Sequence, residues 1–198
     1  LIPSFGEFEP FVNDTYTYFE RYFCTPSVPY TIQKTEFWSD EMVNWLDYER
    51  PKALYPNEWK SVYKGVIRGR LIGGNNNTMY GFIGTEYYPE IKNGDILLIE
   101  DTGKDASTVE KNLAMLKLHG IFDKVSAILL GKHEWYDDLG TGKTSLDLLL
   151  EQLDGREIPI LADIDCAHTH PMFPLAIGKE IEVNTINKTI TCVEAWVD

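Results

Sequence analysis

The stretch Gly94-Asp95-Ile96-Leu97-Leu98-Ile99-Glu100-Asp101 predicts the fold of this chain. Four consecutive aliphatic residues after a Gly-Asp turn are typical of a strand that is buried on both faces, as in a parallel sheet. Two carboxylates end the strand, and the loop Thr102-Gly103-Lys104 follows. The carboxyl edge of an open α/β sheet is where such folds build their sites. The alternative is that Glu100 or Asp101 only caps the next helix.

Strands and helices alternate on both sides of this stretch. The sequence predicts strands over 66–72, 125–131 and 158–162, helices from Asp105 or Ser107 to about His119 and over 145–153, and a closing hairpin of 180–184 with 189–193. This order favours an α/β fold with a mostly parallel, mixed sheet and an antiparallel edge. We therefore expect residues 65–198 to form one α/β domain, preceded by a connecting segment over residues 1–64.

The connecting segment is rich in aromatic residues and is predicted to hold one or two helices. The apolar spacing from Tyr16 to Phe23 fits an amphipathic helix. Ser39-Asp40-Glu41 resembles an N-cap and acidic first turn for a helix that carries Met42, Trp45 and Leu46. Residues 51–64 are predicted to be a loop. Because the chain opens with Leu1 rather than Met, we expect it to be part of a longer protein.

The chain is strongly acidic, with 31 Asp and Glu against 18 Lys and Arg and a net charge of −13. Such a surface repels phosphate backbones and anionic lipid, which argues against nucleic-acid and membrane-surface partners. No apolar run approaches the ~20 residues that span a bilayer. Cys24, Cys166 and Cys192 are widely spaced, which favours a reducing compartment over a disulfide framework. The sequence therefore predicts a cytoplasmic protein.

Two motifs suggest chemistry of other kinds. Gly140-Thr141-Gly142-Lys143-Thr144 resembles a phosphate-binding loop, but that pattern requires a glycine where this chain has Asp137, and an acid repels phosphate. His168 and His170 are spaced to point the same way on an extended segment, and imidazole suits zinc or iron. A metal site is the weaker alternative, because His133-Glu134 lacks a spaced partner histidine. A peptide- or nucleotide-binding module without chemistry also stays open.

Glu100 and His168 are the strongest catalytic candidates. Both follow buried strands, so both are expected at the same edge of the sheet. A carboxylate that orients a histidine, which in turn is the base for a nucleophile, is the arrangement of a catalytic triad. The nucleophile is missing, because no serine lies in a strained Gly-rich turn and Cys166 is expected to be buried. Either there is no triad, or the nucleophile lies outside this sequence.

Four motifs together resemble the serine LD-carboxypeptidases, including their branch of microcin C self-immunity proteins. They are, in chain order, Gly69-Arg70-Leu71-Ile72-Gly73-Gly74-Asn75, the Gly94–Asp101 stretch, Gly131-Lys132-His133-Glu134 and Asp165-Cys166-Ala167-His168-Thr169-His170-Pro171. One such motif is weak, whereas the common order and spacing make the resemblance specific over nearly the whole chain. The regions Ser39–Trp45 and Gly131–Glu134 are closer to the microcin-immunity branch.

The resemblance implies a two-domain enzyme whose flavodoxin-like N-terminal half carries the nucleophilic serine and the oxyanion hole. This chain resembles the C-terminal half, a swivelling-type α/β domain, with the connecting segment before it. The implied reaction is amide hydrolysis of a murein LD-tetrapeptide or a microcin-like peptidyl-nucleotide, without metal or cofactor. Because its partner would be the absent N-terminal domain, the chain alone is expected to be inactive. The full-length protein is expected to be a homodimer.

The resemblance also implies roles for individual residues. Glu100 corresponds to the orienting carboxylate and His168 to the general base and acid, because the histidine of the family's motif precedes a threonine. Lys104 lies in the loop after the glutamate, where the immunity branch has a basic residue that faces the substrate. The other implied substrate-binding residues are Gly74 and Asn75, which line the cleft, and Trp45, an aromatic that stacks on a nucleotide and for which Trp38 is the alternative.

Overall fold

The computed structural model describes residues 2–25, 27–44, 46 and 49–197. The strands are β1 (Tyr30–Gln33), β2 (Phe37–Trp38), β3 (Tyr55–Pro56), β4 (Lys60–Val62), β5 (Val66–Asn75), β6 (Ile96–Glu100), β7 (Ala127–Gly131), β8 (Ile160–Ile164), β9 (Glu180–Asn184) and β10 (Thr189–Cys192). The α-helices are α1 (Phe11–Phe19), α2 (Asn76–Tyr80), α3 (Ala106–Leu118) and α4 (Ser145–Leu153). Short 3-10 or π turns cover Ile2–Gly6, Glu20–Cys24 and Ile121–Asp123.

The main sheet has eight strands in the order β1-β10-β9-β5-β6-β7-β8-β4. The four central strands β5 to β8 are parallel, and the strands on both sides of them are antiparallel to their neighbours. The predicted α/β class with a mixed, mostly parallel sheet is therefore confirmed. Strands β2 and β3 form a separate two-stranded sheet.

Strand β6 lies in the middle of the parallel part, and all five of its residues are buried. Side chains from α2, α3 and α4 cover one face of the sheet. The other face packs against aromatic residues, of which Tyr22, Tyr30 and Trp59 come from the connecting segment and Phe173 from the loop after β8. Burial on both faces explains why β6 reads as an uninterrupted aliphatic run that turns polar only at its end.

The helix after β6 begins at its own cap. Asp105 Oδ1 accepts a hydrogen bond from the backbone N–H of Thr108 at 2.8 Å, as expected for an N-cap. Gly120, with φ +66°, follows the last turn and ends the helix. Glu100 and Asp101 therefore do not cap α3, and the alternative that gave them only this role is wrong.

The helix predicted to start at Ser39 is absent from the described residues 39–44. Ser39 instead forms an isolated bridge with His170, and the carboxylate of Glu41 accepts hydrogen bonds from Arg50 and from the backbone N–H of Ala53. Met42 and Leu46, two of the apolar residues expected on that helix, are 71% and 92% exposed and do not pack against the rest of the chain. Local capping signals were outweighed by contacts with distant parts of the chain.

The connecting segment also supplies both edges of the main sheet. Strand β1 pairs with β10, and β4 pairs with β8, although the sequence predicted a loop over residues 51–64. Helix α1 starts at Phe11, five residues before the predicted Tyr16, and a π turn over Glu20–Cys24 follows it. The domain boundary between residues 64 and 65 stays a prediction. Within the described part of the chain, no helix is long and apolar enough to cross a bilayer.

Candidate active site

Glu100 and His168 meet at the carboxyl edge of the sheet. Glu100 is the last residue of β6 and is 9% exposed, whereas His168 lies in the loop after β8. His168 Nδ1 is 2.8 Å from Glu100 Oε2, and the imidazole side chain is 44% exposed. A buried carboxylate thus holds one nitrogen of a histidine ring that is accessible from outside. This arrangement suits a general base whose other nitrogen, Nε2, faces a reacting group.

Gly131, at the end of β7, lies between Glu100 and the loop that carries His168. A Cβ atom at this position would come within 2.7 Å of the Glu100 Cβ and 3.1 Å of the Ala167 Cβ. The strand that carries Glu100 and the loop that carries His168 can approach each other only because residue 131 has no side chain. Sequence reasoning missed this role of Gly131, although a glycine at the end of a buried aliphatic strand is a signal that could have indicated it.

Asn75 is the residue beside Glu100 in the sheet, because β5 and β6 pair with Gly74 opposite Ile99 and Asn75 opposite Glu100. The Asn75 side chain accepts a hydrogen bond from Thr78 N–H at 2.8 Å and so caps α2. The structure therefore brings the two predicted cleft residues Gly74 and Asn75 next to Glu100. Their contact with substrate stays a prediction.

Gly73, the first glycine of the pair before Asn75, is required by the close packing of two strands. Gly73 has φ +127°, and a Cβ atom there would lie 1.9 Å from the carbonyl oxygen of Leu98 in β6. No other residue fits a position with that conformation and that contact. Both glycines were predicted to permit tight backbone approach. The structure shows this approach at Gly73, toward the strand that ends in Glu100, whereas a Cβ atom at Gly74 would meet nothing within 4 Å.

Asp101 adds a second acidic side chain behind the site. It is 4% exposed, and its Oδ1 is buried without a hydrogen-bond partner among the described residues. Burial, together with the neighbouring Glu100 charge, raises the pKa of Asp101 to about 6. The local sequence pattern indicates only a helix cap for Asp101, because burial of a side chain is not visible in such a pattern.

Lys104 lies in a loop that is tied to the loop after β7. Gly103 N–H donates to the Glu134 carbonyl oxygen at 2.8 Å, and Thr102 Oγ1 donates to the Glu134 carboxylate at 2.6 Å. Lys104 is half-buried and close enough to His133 to affect its titration. Burial, the Lys104 charge and His168 lower the pKa of His133 to about 4. His133 is therefore neutral at physiological pH, a property that its sequence motif alone did not reveal.

The two candidate aromatic residues differ in what the structure describes. Trp45, the predicted nucleotide-stacking residue, lies outside the described residues. Trp38 packs against Tyr55, with ring centroids 5.8 Å apart, and Lys132 Nζ lies 5.6 Å from the centre of its ring. Trp38 is thus engaged by neighbours of its own chain.

The loop that resembles a phosphate site binds its own carboxylate. Asp138 Oδ1 accepts from Gly140 N–H and Asp138 Oδ2 accepts from Gly142 N–H, each at 2.9 Å. Lys143 forms an ion pair with Glu151 at 2.6 Å. The backbone donors that would hold a phosphate are occupied, which agrees with the rejection of this motif.

The two histidines of the possible metal site have separate partners. His170 is 4% exposed, and its Nδ1 lies 3.2 Å from Ser4 Oγ while its Nε2 lies 3.4 Å from Glu7 Oε1. His168 contacts Glu100 instead. Among the residues that the structure describes, no group of three His, Cys, Asp or Glu side chains is placed to hold a metal ion.

Neither Cys166 nor a serine is placed as the nucleophile in the described part of the chain. Cys166 was expected to be buried, but the structure leaves it partly exposed. Loss of hydration around the sulfur, together with Glu100 and Asp165, still raises the pKa of the Cys166 thiol, and the thiol form is a poor nucleophile. Ser4 is fully buried against His170. Nowhere in the described ranges does a serine hydroxyl hydrogen-bond to His168.

Comparison with known proteins places this geometry in a family. Residues 68–183 match the family described as the LD-carboxypeptidase C-terminal domain. The chain belongs to the LD-carboxypeptidase family, in its microcin C immunity branch. It is 46% identical to the microcin C7 self-immunity protein MccF of Escherichia coli over 200 aligned residues. It is 43% identical to a Vibrio cholerae protein named as a carboxypeptidase over 197 aligned residues. These matches cover 100% of this chain but 58% and 59% of those LD-carboxypeptidase relatives.

Solved structures of the family agree with this assignment. A structure of MccF with aspartyl sulfamoyl adenosine matches the whole chain with a TM-score of 0.92 and 46% identity, and the chain covers 60% of it. An MccF-like protein from Bacillus anthracis matches 93% of the chain with a TM-score of 0.74 and 28% identity, and 57% of that protein is covered. The chain therefore spans about three fifths of its relatives within the LD-carboxypeptidase family.

Proposed function

We propose that this chain is the glutamate- and histidine-bearing part of a serine-type amide hydrolase. The observation that carries the proposal is the 2.8 Å contact between His168 Nδ1 and Glu100 Oε2, with Glu100 buried and His168 open to its surroundings. Membership of the LD-carboxypeptidase family supports a peptidase-type reaction. The serine nucleophile and oxyanion hole would lie in the two fifths of the relatives that this chain does not cover.

The reaction would run through an acyl-enzyme. The serine Oγ attacks the amide carbon, and His168 Nε2 takes the hydroxyl proton while Glu100 stabilises the imidazolium. His168 then gives that proton to the leaving nitrogen as the C–N bond breaks. In the second half, His168 takes a proton from water, whose oxygen attacks the ester, and returns it to the serine as the acyl group leaves.

We favour a peptidyl-nucleotide as substrate over a murein LD-tetrapeptide. Support comes from MccF, which is named for microcin C7 self-immunity and has been solved with aspartyl sulfamoyl adenosine and with glutamyl sulfamoyl guanosine. In this chain Lys104 would face the charged part of the substrate and Trp45 would stack on its base. Gly74 and Asn75 would line the cleft beside Glu100.

The same proposal covers assembly and location. We expect the complete protein to be a homodimer in the cytoplasm, in which the N-terminal domain docks on the edge that carries His168. The three free thiols Cys24, Cys166 and Cys192 are consistent with a reducing compartment.

The test compares the 198-residue chain with a polypeptide that also contains the N-terminal serine domain. The longer polypeptide should hydrolyse a peptidyl-nucleotide amide, and the chain alone should show no turnover. Turnover by the chain alone would contradict the split site. In the longer polypeptide, His168→Ala should keep binding a sulfamoyl-nucleotide analogue while losing hydrolysis. Unchanged hydrolysis in this variant would refute the role of His168, and absence of hydrolysis in the unmodified polypeptide would favour a binding module.

A further inference from the structure

Asp165 is a buried carboxylate three residues before His168, and the proposed reaction gives it no part. It directly follows β8 and is 0% exposed. Its Oδ2 accepts hydrogen bonds from Asn57 Nδ2 at 2.9 Å and from Trp59 Nε1 at 2.8 Å. Its Oδ1 accepts a hydrogen bond from Lys132 Nζ at 2.5 Å. Donors from two distant parts of the chain thus fix both oxygens of this carboxylate.

Lys132 connects this carboxylate to the strand that runs beside Glu100. It follows Gly131, the last residue of β7, and its side chain is 6% exposed. Lys132 Nζ also donates to the carbonyl oxygen of Asp163. Asp163 has φ +59°, a left-handed conformation that is uncommon for residues other than glycine. Lys132 therefore holds an unusual backbone conformation in place just before the chain leaves the sheet.

Asn57 and Trp59 extend the connection to the segment before the parallel strands. Asn57 Nδ2 also donates to Thr35 Oγ1, and Asn57 N–H donates to the Glu36 carbonyl oxygen, each at 3.0 Å. Trp59 is fully buried, and its ring centroid lies 6.4 Å from that of Phe173. The Asn57 and Trp59 side chains are therefore held by their own neighbours, so their hydrogen bonds restrict the position of the Asp165 carboxylate.

The loop over residues 165–173, here called the histidine loop, is held at both ends. Phe173 N–H donates to the Asp165 carbonyl oxygen at 2.7 Å. His170 and Ser39 exchange two backbone hydrogen bonds, at 2.9 and 2.8 Å. His168 lies between these fixed points, with its ring the exposed part of the loop. The position of that ring therefore depends on how firmly the ends of the loop are held.

We propose that Asp165 is a positioning residue for His168. Through its three donors it fixes the start of the histidine loop, so that the imidazole Nδ1 meets Glu100. Only the kinetic consequence rests on the proposed function, because the contact can be measured without turnover. An asparagine at position 165 keeps the shape but turns an N–H group toward one of the donors, so the two would repel each other.

The experiment is imidazole NMR on the 198-residue chain, comparing the unmodified protein with Asp165→Asn. The chain has four histidines, so a His168→Ala spectrum assigns the His168 signals. We expect the Nδ1–H signal that reports the bond to Glu100 to be lost or strongly shifted in Asp165→Asn. The matched control is Asp95→Asn, which changes another buried carboxylate, 4% exposed and bound to Arg70 at 2.6 Å, at the opposite end of β6. This control should leave the His168 signal unchanged.

Kinetics in the polypeptide with the serine domain give the second measurement. Asp165→Asn should lower kcat by about 100-fold and change KM by less than about 3-fold, because a displacement near 1 Å misaligns the base without removing a substrate contact. An unchanged His168 signal in folded Asp165→Asn would overturn the proposal, and so would an equal loss in Asp95→Asn.

A milder variant covers the case in which Asp165→Asn does not fold. Trp59→Phe removes one donor and keeps an aromatic ring, and it should shift the His168 signal in the same direction by a smaller amount. An unchanged signal in this variant would also overturn the proposal. If the signal is lost as expected but the unmodified polypeptide with the serine domain shows no hydrolysis, the positioning role stands and the proposed function fails.

Discussion

A methyl group added at Gly131 would lie 2.7 Å from the Cβ of Glu100, closer than two such atoms come in folded proteins. The same group would lie 3.1 Å from the Cβ of Ala167, the residue before His168. The missing side chain of Gly131 thus sets the spacing between the strand that ends in the carboxylate and the loop that carries the imidazole.

Gly131→Ala should therefore separate the two catalytic candidates. Because backbone and Cβ atoms cannot move aside cheaply, we expect a loss of about 1–3 kcal/mol in the free energy of unfolding. We also expect kcat to fall by about 100-fold in the polypeptide with the serine domain. Gly81→Ala is the control, since its added Cβ atom would meet only the Thr78 carbonyl oxygen at 3.4 Å. Equal activity of the two variants would refute this account of Gly131.

Asp101 should make stability depend on pH in an unusual direction. Its pKa is raised to about 6 in the folded protein by burial and by Glu100, from an ordinary value of 3.8. Between these values the folded protein binds more protons than the unfolded chain, so this group lowers stability as pH rises from about 4 to about 6. Over this whole pH range, Asp101 lowers the free energy of unfolding by at most about 3 kcal/mol. His133 has the opposite effect, because burial lowers its pKa to about 4 and the unfolded chain takes up the proton first.

Comparison with Asp101→Asn isolates the contribution of the acid. The variant should be more stable than the unmodified protein by about 1–3 kcal/mol at pH 7, and the two should converge near pH 4. Urea unfolding at several pH values between 4 and 8 measures this difference. If the difference in free energy of unfolding between the two proteins does not change with pH, the raised pKa of Asp101 is contradicted.

The two lysines that follow glycine-containing turns should differ in ligand binding. Lys104→Ala should weaken binding of a sulfamoyl-nucleotide analogue by about 10- to 100-fold, because a charge-assisted hydrogen bond is lost. Lys143→Ala should change binding by less than about 2-fold, because Lys143 pairs with Glu151 and the neighbouring backbone donors bind Asp138. Calorimetry on the polypeptide with the serine domain measures both. A larger effect of Lys143→Ala would support the rejected hypothesis that residues 140–144 bind phosphate.

The sequence predicted the elements whose physical causes are local. Strand β6 is an aliphatic run, α3 follows Asp105, one of its two predicted caps, and α4 covers the predicted residues 145–153. These signals depend on neighbouring residues only. They suffice for the class of the fold and for placing Glu100 and His168 at one edge of the sheet.

Features that depend on distant contacts were not predictable in this way. Ser39 carries a local helix signal, yet it pairs with His170 in the histidine loop. Asn57 and Trp59, two of the donors to Asp165, are more than 100 positions away from it in the chain. No spacing in the sequence indicates these contacts. Burial of Asp101 and His133, and hence their shifted pKa values, follows from the packing of the sheet and not from a motif.

The central claim is that Glu100 and His168 act as one unit on a serine supplied from outside this chain. The most direct measurement is kcat/KM for amide hydrolysis of a peptidyl-nucleotide by the polypeptide with the serine domain, with Glu100→Gln, His168→Ala and the double variant. Each single change should lower the rate by about 10⁴-fold, and the double variant should be no slower than His168→Ala alone. Losses that multiply in the double variant, or a single variant with nearly full activity, would contradict the claim.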